Sequence, residues 1–292
     1  MVRQPKTEQQ PRGRISFQGE PGAYSHLACH SFFAELEAVP CATFEDALAA
    51  ITERRVELGM IPIENSLAGR VADIHHLLPE SGLHVVAERF FRVRHQLIGL
   101  KGARLDQITH VMSHAQALGQ CRRHIRDLGL KPVATADTAG AARQLAETKD
   151  PHRAAVASEL AAELYGLEIL KSDIEDADHN TTRFVILAPE PDNAEPGSGP
   201  VITTLVFRVR NVPAALYKAL GGFATNSVNI TKLESYQLEG SFSATQFYAD
   251  IEGHPEDHLV RLALDELQFF TSSLKILGVY PADPFRDRMK RA

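Results

Sequence analysis

The side chains able to do chemistry gather in four short stretches of this 292-residue chain. They are Gln18-Gly-Glu-Pro-Gly-Ala-Tyr-Ser25, Pro62-Ile-Glu-Asn-Ser-Leu-Ala-Gly69, Ser113-His-Ala-Gln-Ala-Leu-Gly-Gln120 and Asp178-His-Asn-Thr-Thr-Arg-Phe184. Three follow a β-forming run and the fourth leads into one, so each is expected at a strand end. In open α/β sheets ligands bind outside the carboxyl ends of strands. Helix N-termini there offer free N–H groups and the positive end of a dipole, which suits a carboxylate. Ser, Thr, Asn and Gln add neutral hydrogen bonds, and Arg183 could add a charge and a two-pronged donor. The ligand these groups imply is a small anion, handled by hydroxyls and amides. Signatures of other chemistry are missing. No GxGxxG follows the first strand, and there is no P-loop, HExxH or GxSxG. His75-His76 is the one adjacent histidine pair. Helical neighbours point about 100° apart and would not chelate one metal. No metal and no cofactor are expected.

Each stretch also has a plainer explanation. Ser25, Ser66 and Ser113 could be helix N-caps. Gly19, Gly22 and Gly69 fit turns. Glu64-Asn65 could bond its own turn, Thr181-Thr182 could reflect strand propensity, and Arg183 could form a surface ion pair. Four polar clusters at comparable strand ends argue for a site more strongly than any one of them.

The elements that must position these residues fall into two blocks. Residues 188–200, APEPDNAEPGSGP, hold four prolines, two glycines and no large apolar side chain, which makes a linker. Before it, strands are expected at Ile15–Phe17, Val39–Cys41, Leu58–Ile63, Ile108–Ser113, Val133–Thr135, Ala154–Ala157, Ile169-Leu170 and Arg183–Leu187. Helices are expected from about Ser25 and at Phe44–Glu53, Ala115–Leu128, Ala139–Glu147 and Glu159–Tyr165. Thr43 is the expected N-cap of the second, with Asp46 three residues on. Such alternation implies a mostly parallel sheet with covered faces. His84–Leu100 reads as two extended segments. After the linker the order is strand Ile202–Val209, helix Pro213–Ala224, strands Ile230–Gln237 and Ala244–Glu252 joined around Glu239-Gly240, helix Glu256–Phe270 and strand Leu274–Tyr280. That βαββαβ order is ferredoxin-like.

Composition narrows the class of protein. Lys and Arg number 31 against 37 Asp and Glu, a net charge of −6, which argues against a nucleic-acid binder. No apolar run approaches the roughly 18 residues of a membrane span. Cys29, Cys41 and Cys121 form neither a disulfide framework nor a CxxC pair. Met1–Gly13 is polar, lacks the apolar core of a signal peptide and reads as a frayed tail. A reduced, cytoplasmic protein is expected.

The motifs taken in order, GEPGAYS, PIENSLAG, SHAQALGQC, ADTAGAA (Ala136–Ala142) and NTTRF, resemble the prephenate dehydratase family. The βαββαβ tail resembles the ACT regulatory domain that follows the catalytic domain there. The likeness covers about residues 14–282 and implies a catalytic domain at 14–188 and an ACT domain at 201–282. It implies an α/β fold class with a bilobal, periplasmic-binding-protein-like catalytic domain and its active site in the cleft. No chorismate mutase segment precedes residue 14, so the monofunctional form is expected. The implied reaction is the loss of carbon dioxide and hydroxide from prephenate to give phenylpyruvate, in phenylalanine biosynthesis. Aromatisation drives it without a cofactor.

In this resemblance Thr182 is the family's catalytic hydroxyl, and Asn65, Ser113 and Gln120 match catalytic or substrate-binding positions. Glu64, Ser66, Ser25, Arg183 and Phe184 complete the expected substrate set. Arg183 would hold the pyruvyl carboxylate or be structural. Glu64 could supply a proton if burial raises its pKa, with His114 as a second candidate acid. Phenylalanine is the expected allosteric effector, bound by Val212, Pro213, Ala214, Ala215 and Leu216 and by Leu233, Glu234 and Ser235. Ala214 stands where the family often has glycine, and Tyr236-Gln237 replace Arg-Pro. A homodimer or homotetramer is expected, with neither nucleic acid nor membrane as partner. Two alternatives remain: arogenate as the substrate, or a non-catalytic amino-acid sensor.

Overall fold

Residues 13–210, 212–237 and 244–289 are described by the computed structural model. The expected tail before Gly13 and the turn at Glu239-Gly240 lie outside the described residues. The chain opens with β1 (Arg14–Gln18), α1 (Tyr24–Phe32), β2 (Glu37–Cys41) and α2 (Phe44–Thr52). Next come β3 (Leu58–Asn65), the short β4 (Gly69–Arg70), α3 (Ala72–Glu80), β5 (His84–Arg92) and β6 (Gln96–Gly99). They are followed by β7 (His110–His114), α4 (Ala115–Gln120), α5 (Arg122–Asp127), β8 (Lys131–Thr135) and α6 (Thr138–Thr148). β9 (Arg153–Ala157), α7 (Glu159–Leu164), β10 (Glu168–Lys171) and β11 (Thr181–Ala188) complete the part before the linker. The rest is β12 (Val201–Val209), α8 (Ala215–Thr225), β13 (Ile230–Gln237), β14 (Ala244–Glu252), α9 (His258–Phe270), β15 (Thr271–Pro281) and α10 (Phe285–Met289). Among the described residues no helix is long and apolar enough to cross a membrane.

Contacts divide the chain into two units, Met1–Gly59 with Arg94–Asp178 and Met60–Val93 with His179–Ala292. In the first unit β1 and β2 pair in parallel. Thr43 caps α2 as expected, its hydroxyl accepting the Asp46 N–H at 3.1 Å. A five-stranded sheet runs β10-β6-β9-β7-β8. The expectation of a mostly parallel sheet needs correction, because this sheet is mixed. β8 and β9 flank β7 in parallel, whereas β6 is antiparallel to both β9 and β10. β8, β9 and β10 are each reached through helices, which returns the chain to the same end; β6 enters without such a crossover and runs against its neighbours. Leu97, Val111 and Val156 pack on one face and Ile98, Met112 and Ala155 on the other. Successive side chains point to opposite faces, so burial of both explains the unbroken apolar run in β9.

The single helix expected at Ala115–Leu128 is two helices broken at Cys121. The Asp176 carboxylate accepts the Arg123 N–H at 2.9 Å, satisfying the start of the second one.

In the second unit β3, β11 and β5 lie in that order, with β4 beside β3. β11 and β5 are antiparallel, Thr182 facing Phe91 and Arg183 facing Phe90. The C-terminal strands form a sheet ordered β13-β14-β12-β15, the arrangement expected of βαββαβ. α8 and α9 bury Phe223, Ala263 and Leu267 against Leu205, Phe207 and Ile251 of that sheet. α8 begins at Ala215 rather than Pro213, because Ala214 is left-handed at φ 61° and cannot belong to the helix. Ala188 still belongs to β11, and the linker residues after it join neither helix nor strand, although Ala194 N–H donates to Val279 O at 2.8 Å.

Candidate functional site

In the second unit the Glu64-Asn65-Ser66 turn is tied to the start of β11. Asn65 fills both ends of its amide. Its Oδ1 accepts the N–H groups of Leu67 and Ala68, each at 3.0 Å, so it does bond its own turn. Its Nδ2 donates to Asn180 Oδ1 at 2.8 Å and to Thr182 Oγ1 at 3.0 Å. Four bonds leave the amide one orientation. The Ser66 hydroxyl donates to His179 O at 2.8 Å and accepts the Thr181 N–H at 3.0 Å. Thr182, half-buried, therefore has its oxygen engaged as an acceptor. No acceptor among the described residues takes its proton. Phe184, two residues on, shares its face of the strand and is buried.

Arg183 lies on the opposite face of β11 and is 2% exposed. Its Nε donates to Glu88 at 2.8 Å, its Nη1 to Glu64 at 2.9 Å and Asp250 at 2.5 Å, and its Nη2 to the Tyr280 hydroxyl at 3.1 Å. Arg286 donates to both Glu88 oxygens at 2.6 and 2.8 Å, and Lys232 donates to Glu64 at 2.8 Å. Three cations thus meet three carboxylates, Glu64, Glu88 and Asp250. Burial would raise the Glu64 carboxyl, but the charges of Arg183 and Lys232 outweigh it and hold the group below its ordinary value. The condition under which Glu64 could supply a proton is not met. A cavity of about 260 Å³ is lined by Phe90, Phe285, Arg183 and Arg286 and reaches the Glu64-Asn65-Ser66 turn.

In the first unit the GEPGAYS turn is docked on the start of α7. Gly22 has φ 89°, and a Cβ there would lie 2.9 Å from Ala161. Ser158 donates to Gly22 O at 2.5 Å, and Tyr165 to Pro21 O at 2.8 Å. Ser25 sits in the first turn of α1, whose N-cap is Ala23. Ser113 is the last residue but one of β7, is buried, and donates to Val156 O at 2.6 Å. His114 caps α4 instead, its Nδ1 accepting the Gln116 N–H at 3.3 Å. None of Ser25, Ser66 and Ser113 is a helix N-cap. Gln120 Oε1 lies 2.8 Å from His95 Nε2, and the Tyr24 hydroxyl lies 2.6 Å from His95 Nδ1. Burial pushes the His95 ring below its ordinary value of 6.5 and the Tyr24 phenol well above 10.0. His95 was not singled out from sequence. The available signal was a histidine at the break between two extended segments.

The expected effector residues all lie in the second unit. Val212 is exposed and its carbonyl accepts the Ala215 N–H at 3.1 Å. Pro213 and Ala214 make the turn into α8, which Leu216 enters packed on the sheet core. Along β13, Leu233 and Ser235 face outward, and Glu234 accepts from Lys232 at 3.2 Å and pairs with Arg70 at 3.6 Å. Arg70 also donates to Ser235 O at 3.0 Å. His75 and His76 lie on α3, edge-on to Tyr248 and Tyr236 respectively.

A threonine hydroxyl held by an amide, beside an α/β scaffold and a βαββαβ sheet, fits the class of α/β enzymes. The family model for prephenate dehydratase matches residues 15–192, and the chain belongs to that family. It is 55% identical over 272 residues to the bifunctional N-acyl-homoserine lactone acylase/prephenate dehydratase of Komagataeibacter europaeus, covering 93% of this chain and 97% of that protein. It is 40% identical over 282 residues to arogenate dehydratase/prephenate dehydratase 2 of Arabidopsis thaliana, covering 93% of this chain and 74% of the relative. The crystal structure of prephenate dehydratase in complex with L-Phe from Arthrobacter aurescens superposes with a TM-score of 0.84 at 28% identity, covering 92% of this chain and 90% of that one.

Proposed function

We propose that Thr182 assists the leaving hydroxyl as prephenate is converted to phenylpyruvate. The bond to the ring carboxylate breaks and its electron pair enters the ring. The carboxylate departs as carbon dioxide, the carbon–oxygen bond on the far side breaks, and the hydroxide leaves as water with a proton passed through the Thr182 hydroxyl and replaced from solvent. The observation that carries the role is the Asn65–Thr182 bond at 3.0 Å. With Asn65 donating to its oxygen, the Thr182 hydroxyl is a stronger donor toward the leaving group. Gln120 and Ser113 complete the substrate contacts in this reading. Ser113 serves as an acceptor, since its proton goes to Val156 O. Ser25 contacts substrate from the first turn of α1, and Phe184 backs Thr182. Ser66, Glu64 and Arg183 hold the two strands that present Asn65 and Thr182.

The test is direct: incubate the protein with prephenate and follow phenylpyruvate enol absorbance in base. Turnover is expected, and its absence in well-folded protein would refute the assignment. Arogenate run in parallel decides between the two substrates, and failure on both would leave the sensor reading.

The domain reading places catalysis at 14–188 and an ACT regulatory domain at 201–282, with phenylalanine held by Val212–Leu216 and Leu233–Ser235. The complex of the Arthrobacter relative with L-Phe supports that effector. A homodimer or homotetramer is supported by large apolar side chains on α8 and α9, Tyr217 at 81% and Phe269 at 74% exposure. Three buried, unbridged cysteines support a cytoplasmic setting. A second reading bears on the expectation of a single activity. The 55% identity to a relative named as a bifunctional acylase favours hydrolysis of N-acyl-homoserine lactones. Release of free fatty acid from such a lactone would establish it.

A further inference from the structure

We propose that Tyr24 and His95 set the polarity of the Gln120 side chain, holding its amide oxygen so that the substrate meets its NH2 group. The inference rests on the reading of Gln120 as a contact to prephenate. His95 lies between β5 and β6 and is 2% exposed. Its backbone is pinned on both sides, the N–H donating to Glu175 Oε2 at 2.9 Å and the carbonyl accepting the Ile174 N–H at 2.9 Å. The Tyr24 ring stands edge-on to the imidazole, at 5.3 Å between centroids and 80° between planes.

The order of donors follows from what each atom can do. An amide oxygen only accepts, so the contact from His95 Nε2 to Gln120 Oε1 requires the proton on Nε2. A neutral imidazole then has a bare Nδ1, which must accept, and the Tyr24 hydroxyl is the donor. The reverse order would send the phenol proton to the Arg94 carbonyl, put the ring proton on Nδ1 and turn the amide around. Tyr24 lies 3.3 Å from that carbonyl but 2.6 Å from Nδ1, which favours the first order. Burial disfavours the charged ring, leaving it one proton to place. The chain from tyrosine to histidine to glutamine therefore has a direction, and cooperative polarisation strengthens the amide N–H as a donor. For a substrate carrying carboxylates the direction matters, because the other end of the amide would repel it.

Tyr24 and His95 are positioning residues, and the test must separate positioning from mere support. Wild type, Tyr24→Phe, Gln120→Ala and the double variant are compared on prephenate. Tyr24→Phe loosens the held amide without removing it, so it should lower kcat/KM about tenfold, mainly through KM. In the Gln120→Ala background the same change should cost nothing further. Equal losses in both backgrounds would overturn the proposal. Long-range proton–nitrogen NMR of the wild-type chain at neutral pH reads the tautomer without activity. A proton on His95 Nε2 is expected, and one on Nδ1 would overturn it. If wild type fails to turn over prephenate, the functional reading falls and the substrate half of this inference falls with it. The tautomer still decides the polarity.

Discussion

Thr182 and Gln120 are held by opposite means. The strand of Thr182 is anchored one residue on by Arg183, locked among Glu64, Glu88 and Asp250 with the last two fully buried. Gln120 is held by a chain of neutral groups, Tyr24 and His95. A buried ion cluster is intolerant: removing one member strands its partners uncompensated in low dielectric. A neutral chain is cheaper to break, but it has a direction, and direction is what a polar substrate reads. The first device should therefore show in stability and the second in kinetics.

The largest expected effect tests that division. Arg183→Met leaves Glu88 and Asp250 short of a partner and should destabilise the fold by about 3–5 kcal/mol, measured by urea unfolding. Tyr24→Phe, which removes one neutral hydrogen bond, should cost about 1 kcal/mol. Equal losses would mean that the two anchors do not differ in kind.

Next in size is a kinetic effect with little change in stability. Thr182→Ala removes a half-buried hydroxyl and should lower kcat on the order of 10²-fold while the urea midpoint stays close to wild type. Thr182→Ser should keep most of the rate. Near-normal turnover by Thr182→Ala would remove the hydroxyl from the mechanism.

The same contrast predicts where acid acts. His26 stacks on Phe17 and its Nδ1 accepts the Gly22 N–H at 3.0 Å. Burial, with His30 nearby, lowers it from 6.5 to about 4. His95 and His75 are lowered too, chiefly by burial. As pH falls below 6.5 the unfolded chain takes up protons that the folded histidines refuse, so stability drops; for His26 the drop ends at about 4. Glu64 and Glu88 are lowered below 4.5, net of burial, by Arg183 with Lys232 and by Arg286 with Arg183 respectively. Their contribution is complete above 4.5 and is lost as pH falls through their folded values. Urea midpoints against pH should decline in two stages, and His26→Gln should flatten the upper one. A flat profile between 6.5 and 4.5 would count against neutral buried rings.

The contrast also explains how much was legible in sequence. Local patterns carry local information: the Thr43 cap, the two extended segments of 84–100 and the βαββαβ order follow from spacing within a few residues. The polar motifs marked the Asn65 and Thr182 segments because the turn chemistry is local. The destination of Arg183 was not legible, since its partners Glu88, Asp250 and Tyr280 lie 95, 67 and 97 positions away. Alternation along β11 placed it on the face opposite Thr182 but could not say what waited there. His95 escaped for the same reason: Tyr24 and Gln120 are 71 and 25 positions distant, and a lone histidine beside a strand carries no pattern.

The Ala214 turn is a third case, fixed by neither ions nor a side-chain hydrogen bond, and it carries the smallest expected effect. Ala214 adopts φ 61° and ψ 18°, just before α8. An L-residue with a Cβ pays roughly 1–2 kcal/mol in that region. Glycine would relieve the strain but adds about 0.4–1 kcal/mol of entropy to the unfolded chain. Ala214→Gly should therefore stabilise the protein by about 0.5–1 kcal/mol, raising Tm by a degree or two. It should leave prephenate turnover without phenylalanine unchanged. If the turn's N–H groups hold phenylalanine, relaxing the backbone they hang on should also change the effector concentration for half-inhibition, read by kinetics on the full chain. A loss of stability would show that the Ala214 Cβ makes a contact worth more than the strain it causes. The turn would then cease to be a third case, since a side-chain contact rather than the backbone would be what sets it.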